Sequence, residues 1–518
     1  MQYAAHFAAD GIGQETQFGW DRFNDLETQL LLLERTLSLP RFEVPQNHGY
    51  SMNRNRSFTA QLESELIRKV IYPLWTLRSH PAYLRYRKNF EQTQWLPDRE
   101  LQDLQLGLLR TQLLHAYRNV PLYRRRMEEA GVTPLDIRSV DDLRMLPVLT
   151  KRDIQDHPTE LIADNVPKSN RLINQTGGST GTPLQFWVDK ERFDSRRAST
   201  DRHNAWAGLH AGEWCAVLWG STFGLGTAKI APITWKHRLI DRSLTLNTSQ
   251  ISPDDLDKFI ALLRRYRPAR LKAYAQSAAM FAQYCRNTGV HDIRFDSIIT
   301  SAEVLLPENR TLIEETFQAK VFNRYGCREV SVIASECEYH TGLHVNADAL
   351  VVEIDPLPGG PPNCGRVLIT DLYNRSMPLI RYEIGDIAQW SYDERPCPCG
   401  RSLPRIANIE GRITDFLRLP NGEMISGPSL ALLIGQTAGV RQAQFVQPAP
   451  DEIRLDVIPA DGFGSHTIDE LRRRLYPYLR DQIRFSVRSV REIASEPSGK
   501  YRFVKKEYEE SDLHAAIA

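Results

Sequence analysis

The strongest constraint on what this chain can fold into is an alternation. Between about Leu84 and Glu410, short apolar runs of strand length recur among longer stretches with helical apolar spacing. Strands are expected at 214–218, 270–274, 297–300, 320–322, 349–354 and 365–370, with helices over 253–265 and 307–316 between them. This alternation argues for an α/β fold, with sheets flanked by helices. Beyond Gly411 the elements shorten, and runs at 453–459 and 484–491 bracket a helical stretch at 467–480, a small strand–helix–strand unit. Ahead of Leu84, helical spacing over 20–37 and 58–74 surrounds a loop-like 40–56 rich in Asn, Pro and Arg. The expected organisation is a helical N-terminal extension (1–83), a large core domain of mixed sheets and flanking helices (84–410), and a small mobile α+β C-terminal domain (411–518). Three roles stay open for the extension: packing on the main body, a homodimer contact, or a lid.

Composition narrows the function classes. A chain of 518 residues exceeds one domain at a prior of ~150 residues each. A net charge of +1 gives no reason to expect nucleic acid or an anionic membrane as partner. The arginine clusters at 124–126 and 472–474 sit in mixed-charge helical contexts and read as solvated faces. No apolar run reaches membrane-spanning length, and the first residues lack the basic and apolar regions of a signal peptide. A cytoplasmic location is expected, where seven cysteines do not suggest a disulfide framework.

Residues 174–183 read NQTGGSTGTP, with Gly177, Gly178 and Gly181 set among Thr176, Ser179, Thr180 and Thr182. Glycine lets a backbone approach an anion closely, and hydroxyls and backbone N–H groups donate to phosphate oxygens. Beside the strand-like 184–188, this is a candidate phosphate clasp; a surface turn has the same composition. The segment is neither a P-loop nor a dinucleotide-binding turn, and it carries no lysine. If it holds ATP, the charge must be neutralised by a metal or by a lysine or arginine from elsewhere.

Further segments follow in order: NRYGCRE (323–329), LIRYEIGD (379–386), GRITD (411–415) and PSGK (497–500), preceded by HAYRNVPLY (115–123) and LPVLTK (146–151). Together with the glycine-rich loop, they resemble the acyl-adenylate-forming enzymes, and within them the phenylacetate–coenzyme A ligase and CapK-like branch, from about Leu84 to Lys505. The resemblance implies that ATP activates a carboxylic acid as an acyl adenylate, with release of pyrophosphate. It implies that residues 176–182 clasp the phosphates, that Tyr325 lies against the adenine, and that Glu329 carries Mg²⁺, a hard cation suited to carboxylate oxygen. Asp386 is then expected to accept from the ribose hydroxyls, with Arg412 near the ribose and phosphate. Lys500 is expected to bridge the carboxylate and the α-phosphate, where positive charge stabilises the transition state. Taken singly, each residue has a plain structural reading: a core tyrosine, a turn acid, a surface arginine. Two departures stand out: Thr182 occupies the position where many relatives carry lysine, and the hinge reads Thr414–Asp415 where two acids are common.

The cysteines fall in groups. Cys337 is followed by His340 and His344, while Cys397 and Cys399 form a Cys-Pro-Cys-Gly turn. A structural zinc takes four sulfur or nitrogen ligands. Cys337, His344, Cys397 and Cys399 supply that set if the two groups meet in the fold, with His340 as the alternative to His344. Reduced thiols beside a turn are the plainer reading; a structural zinc is preferred. Cys215, Cys285, Cys327 and Cys364 have no partner legible in the sequence.

For the acid, Trp219, Tyr274, Ser301 and Glu303 are candidate pocket residues, with the loop at 220–226 near them. Aromatic side chains there suit a flat pocket for an aromatic or heteroaromatic acid, and plain core is the alternative reading. The acyl acceptor is coenzyme A, a carrier thiol or an amine, with adenylylation of a hydroxyl as a further route. A non-catalytic binding protein is disfavoured by the presence of both Glu329 and Lys500.

Overall fold

The computed structural model describes residues 58–175, 184–219, 230–248, 252–357, 363–393, 395–412, 416–420, 424–426, 430, 434, 437–479, 483–493 and 503–508. The described chain starts with α1 (Phe58–Leu66), which passes through a π-helical turn (Ile67–Ile71) into α2 (Tyr72–Ser79). The helix expected over 58–74 thus runs on to Ser79. This part of the extension packs on the main body. The Tyr72 hydroxyl accepts from Arg197 Nη2 (3.0 Å) and donates to Asp201 (3.2 Å), which also accepts from the Tyr83 hydroxyl (2.6 Å). The helical stretch at 20–37 and the loop at 40–56 lie outside the described residues.

A helical layer follows: α3 (Tyr83–Thr93), α4 (Asp98–Asn119), α5 (Pro121–Ala130) and α6 (Lys151–Asp156). The hairpin of β1 (Arg171–Gln175) and β2 (Gln185–Asp189) then brackets the glycine-rich loop and leads into α7 (Lys190–Trp206). Helix α7 reads as polar on every side, yet Arg192 and Arg202 are among the most deeply buried side chains. Arg192 Nε bonds Asp371 at 2.8 Å, and Arg202 forks onto Asp348 at 2.5 and 2.9 Å. Removing either aspartate would strand a buried charge, which is strongly destabilising.

The α/β alternation builds a parallel sheet from β3 (Cys215–Trp219), β4 (Ser243–Asn247), β5 (Arg270–Tyr274), β6 (Ser297–Ser301) and the first half of β7 (Lys320–Cys327), in the order β4-β3-β5-β6-β7. Its helices are α8 (Pro253–Tyr266), α9 (Ala275–Asn287) and α10 (Pro307–Phe317). Helix α8 shows why the sequence is legible here. Ser252 and Asp255 form a capping box, Pro253 takes the first turn, and Leu256, Phe259, Ile260 and Leu263 bury one face at helical spacing.

The second half of β7 turns antiparallel. Arg324 and Tyr325 pair with β8 (Ser331–Glu336), and the sheet continues through β9 (Leu343–Val345), β10 (Leu350–Pro356), β11 (Cys364–Asp371), β12 (Tyr382–Trp390) and β13 (Arg405–Arg412). Among the described residues this gives eleven strands in the order β10-β11-β12-β13-β9-β8-β7-β6-β5-β3-β4. Beyond it lie β14 (Phe416–Arg418) with β15 (Met424–Ser426), and a sheet of β16 (Val440–Ala449), β17 (Glu452–Pro459), β18 (Arg484–Ser489) and β19 (Val504–Lys506) in the order β18-β17-β16-β19. The expected strand–helix–strand unit is β17–α11–β18, with α11 at Ser465–Leu479 and the two strands parallel. Leu455, Leu471, Leu475 and Val504 share an apolar core separate from those of the larger sheet. No helix among the described residues is long and apolar enough to cross a membrane.

Candidate active site and a cysteine–histidine cluster

Four parallel strands end side by side. Register places Trp219 beside Asn247, Tyr274 beside Ser301, and Thr300 beside Asn323. Ligands of open α/β sheets bind outside such carboxyl ends. The four candidate pocket residues converge there. The Trp219 and Tyr274 rings lie 4.5 Å apart between centroids. Ser301 closes β6, Ala302 takes a positive φ of 68°, and Glu303 Oε2 accepts the Gln276 N–H at 2.9 Å. That carboxylate sits at the N-terminus of α9, where the helix dipole favours an anion. Burial and the Glu303 charge push the Tyr274 phenol upward, so it stays protonated and a donor.

The segments at 323–329 and 379–386 meet on the next strands. Tyr325 is buried, and its hydroxyl donates to Asp386 Oδ2 at 2.8 Å. Strands β7 and β12 are separated in the sheet by β8, β9 and β13. Laid flat, four steps of about 4.8 Å would hold them roughly 19 Å apart. The direct bond therefore requires the antiparallel half of the sheet to curl back on itself. Two glycines permit it. A Cβ on Gly326 would lie 2.3 Å from the Ser331 carbonyl oxygen, and Gly385 adopts a φ of 83° immediately before Asp386. Register pairs Asp386 with Arg412 across β12 and β13.

Glu329 is buried in the turn after β7, and the Tyr382 hydroxyl donates to its Oε1 at 3.1 Å. Burial, and after it the acid's charge, drives both the Tyr382 phenol and the Cys327 thiol upward. Next to it, Arg328 Nε contacts Asn174 Oδ1 at 3.3 Å, tying this turn to the strand that feeds the glycine-rich loop.

On the same antiparallel strands, the two cysteine groups come together. The ligand atoms of Cys337, His344, Cys397 and Cys399 all lie within 4.8 Å of one another. Cys337 Sγ is 3.6 Å from Cys397 Sγ, and Cys399 Sγ is 3.4 Å from His344 Nε2. A tetrahedron with zinc–sulfur bonds of about 2.3 Å has edges of about 3.7–3.8 Å, so the spacing suits the ion. His344 Nδ1 faces the Leu403 carbonyl at 2.9 Å. A proton there leaves the Nε2 lone pair toward the sulfurs, the tautomer a metal ligand needs. A hydrogen bond with Cys337, and after it His344 and the Arg401 N–H (3.4 Å), favour the thiolate on Cys399 against burial, and that pairing drives the Cys337 thiol upward. His340 belongs elsewhere: its Nδ1 bonds Glu336 at 3.0 Å, and its ring packs on Phe322.

Comparison with known proteins follows the same lines. Residues 417–507 match the family model of the CapK C-terminal domain. A phenylacetate–coenzyme A ligase of Thermus thermophilus is 26% identical over 419 residues, covering 75% of this chain and 91% of the relative. Protein CapK of Staphylococcus aureus is 28% identical over 376 residues, 70% of this chain and 80% of the relative. The chain resembles the phenylacetate–coenzyme A ligase and CapK-like branch of the adenylate-forming proteins. Its fold is that of 2-hydroxyisobutyryl-CoA ligase in the postadenylation state: TM-score 0.65, 24% identity, 82% of this chain and 93% of that one.

In this CapK-like chain, Thr176, Gly177, Gly178, Ser179, Thr180, Gly181, Thr182 and Lys500 lie outside the described residues, as do the loop at 220–226 and Thr414–Asp415. For Arg412 the structure gives the strand position, not the side chain. Several participants were not legible in the sequence. Tyr382 lies inside the segment 379–386 with no role of its own legible there, yet it holds Glu329. Arg401 stacks on both Trp95 and Trp206 and bonds Gln94 Oε1 at 3.1 Å, anchoring the cysteine turn to α3 and α7. Spacing carries no signal for either.

Proposed function

We propose that this chain is an acyl-adenylate-forming ligase that activates a carboxylic acid with ATP, releases pyrophosphate, and passes the acyl group to coenzyme A. The observation that carries the reading is the Tyr325–Asp386 bond beside the buried Glu329, in the same sheet as the Trp219–Tyr274 ring pair. An aromatic base suits Tyr325, ribose hydroxyls suit the Asp386 carboxylate, and a flat acid suits the Trp219–Tyr274 pair. The relatives named phenylacetate–coenzyme A ligase support both the chemistry and an aromatic acid as substrate class. Glu329 fits a magnesium ligand: a carboxylate held in place through one oxygen by Tyr382. The ion, when bound, supplies positive charge against the nucleotide phosphates.

The test is ATP–pyrophosphate exchange across a panel of aromatic, aliphatic and amino acids, followed by coenzyme A addition. Exchange is expected with an aromatic acid, and coenzyme A should consume the adenylate. An absence of exchange with every acid in the panel would sink the reading. Glu329→Gln keeps the shape and removes the charge; it should raise the magnesium concentration needed for half-maximal exchange by about tenfold or more, the cost of one hydrogen-bonded charge contact. An unchanged magnesium titration would remove Glu329 as the ligand.

A further inference from the structure

Helices α1 and α2 carry an apolar stripe on the outside of the molecule. Leu62, Leu66, Leu74 and Leu77 are between 37% and 55% exposed. Leu62 and Leu66 lie about one turn apart in α1, as do Leu74 and Leu77 in α2. The π-helical turn between them takes about one residue more per turn and so brings both pairs to one side. Ile67, Tyr72 and Thr76 point inward and are buried. A second π-helical turn, His237–Asp241, packs against the one at Ile67–Ile71, and Arg242 Nη1 bonds Glu63 Oε1 at 2.7 Å. This neighbour adds exposed Trp235 and Leu239. A single exposed leucine needs no explanation, but a gathering of large apolar side chains on one face marks a surface that something covers. We propose that the chain's own segment 20–37 covers it, packed as a helix along the stripe. The inference is independent of the adenylation reading.

Residues 20–37 lie outside the described residues, and their sequence supplies the matching surface. Phe23, Leu26, Leu30, Leu33 and Leu37 recur at alternating steps of three and four, the seam that lets one helix lie along another. The lengths agree: at about 1.5 Å per residue, a helix over 20–37 is about 27 Å long and the stripe from Leu62 to Leu77 about 22 Å. Connectivity supplies proximity. The described chain begins at Phe58, the first residue of α1, so the segment is tethered to the element that bears the stripe. The intervening 38–57 reach at most about 65 Å, at ~3.3 Å per residue, enough to lay the segment along the face in either direction. A tethered segment also meets the face at an effective concentration that a free partner does not match. Charge agrees as well. The segment carries Asp21, Asp25, Glu27 and Glu34 against Arg22 and Arg35, while exposed Arg78 and Arg238 flank the stripe. The acids beside the stripe are already paired, Glu63 with Arg242 and Glu65 with Lys69.

Hydrogen exchange on the full chain reads the docking directly. Amides of 20–37 are expected to exchange about tenfold or more slowly than unstructured peptide, because packing of an amphipathic face is what holds such a helix closed. Leu66→Glu, on the stripe and far from the segment in sequence, should return them to the unstructured rate. Leu66 is half exposed, so the main body should tolerate the change, and near-ultraviolet circular dichroism shows whether it does. Should that variant not fold, Leu62→Glu makes the same comparison. Leu114→Glu, at an exposed leucine of α4, is the control and should leave the segment protected. Segment amides that exchange at the unstructured rate in the unmodified chain would overturn the inference. So would protection that survives Leu66→Glu, which places the segment elsewhere, or protection lost equally in Leu114→Glu. Protection that appears only as the chain dimerises, read by light scattering across a concentration series, would assign the stripe to a second copy and overturn it too.

Discussion

Lys500→Ala is expected to slow acyl-adenylate formation by about 10²–10³-fold, the cost of removing one preorganised charge-stabilising donor, while transfer from a supplied adenylate to coenzyme A continues near its normal rate. The reason is charge. Attack of a carboxylate on the α-phosphate brings two anionic groups together and builds more negative charge on the phosphate oxygens. A cation bridging both lowers that barrier, and it has no comparable task once the acyl–phosphate bond exists. Lysine suits a bridging role that one half-reaction needs and the other does not, being a compact charge on a flexible stem. The surroundings in the chain are consistent with such a placement. Residue 500 falls within the stretch matched to the CapK C-terminal domain, and the chain is tied down soon after it, where Val504 pairs with Phe445 at the edge of the small sheet. Pyrophosphate exchange reads the first half-reaction; thioester release from chemically made adenylate reads the second. Loss of both in a folded variant would contradict the assignment to Lys500.

The apolar skeleton of this fold was legible in the sequence wherever burial follows a single period. The strand expected at 270–274 is observed at Arg270–Tyr274, and the helix expected over 253–265 runs Pro253–Tyr266. Where buried polar groups interrupt the pattern, it misled. Ahead of the strand expected at 349–354, β9 (Leu343–Val345) is split off from β10 (Leu350–Pro356). The break falls where Arg202 draws Asn346 and Asp348 into a buried network, and where the Ile333 carbonyl accepts the Asn346 N–H. Helix α7 is the same lesson at larger scale: Asp348 and Asp371, far along the chain, make its arginines core residues, and no local window contains them. Likewise the strand expected at 320–322 continues to Cys327, because its second half changes partner from β6 to β8.

The site divides in a similar way. Residue type and order pointed to Tyr325, Glu329 and Asp386, and the curl of the sheet brings Tyr325 onto Asp386. Trp219, Tyr274, Ser301 and Glu303 gather because parallel strands in register end at one edge. The supporting partners were not legible. Arg196 and Tyr382 act through a carbonyl and a carboxylate brought near by topology, and neither contact leaves a trace in spacing.

Loss of the cysteine–histidine cluster should be the larger structural effect. About one zinc per chain is expected by elemental analysis, as a four-ligand tetrahedral site requires. Three thiols and an imidazole lie within 4.8 Å of one another, and ionising one thiol opposes ionisation of the next. The ion, when bound, converts that repulsion into bonding and joins the end of β8, strand β9 and the turn before β13, three segments otherwise linked at this corner by short strand pairings. Structural zinc binding is worth on the order of 10 kcal/mol in small domains. Recovering even half of that here would shift the melting temperature by on the order of 10 °C, at about 2–4 °C per kcal/mol. Cys397→Ser and His344→Ala should therefore lose the metal and melt lower, and strong chelation of the unmodified protein should reproduce the shift. His340→Ala supplies the contrast: its imidazole serves Glu336 and Phe322, so the zinc content should stay as it was. Full metal retention in His344→Ala together with loss in His340→Ala would reverse the ligand assignment. A metal-free protein whose stability is indifferent to Cys397→Ser would make the four side chains ordinary reduced core groups.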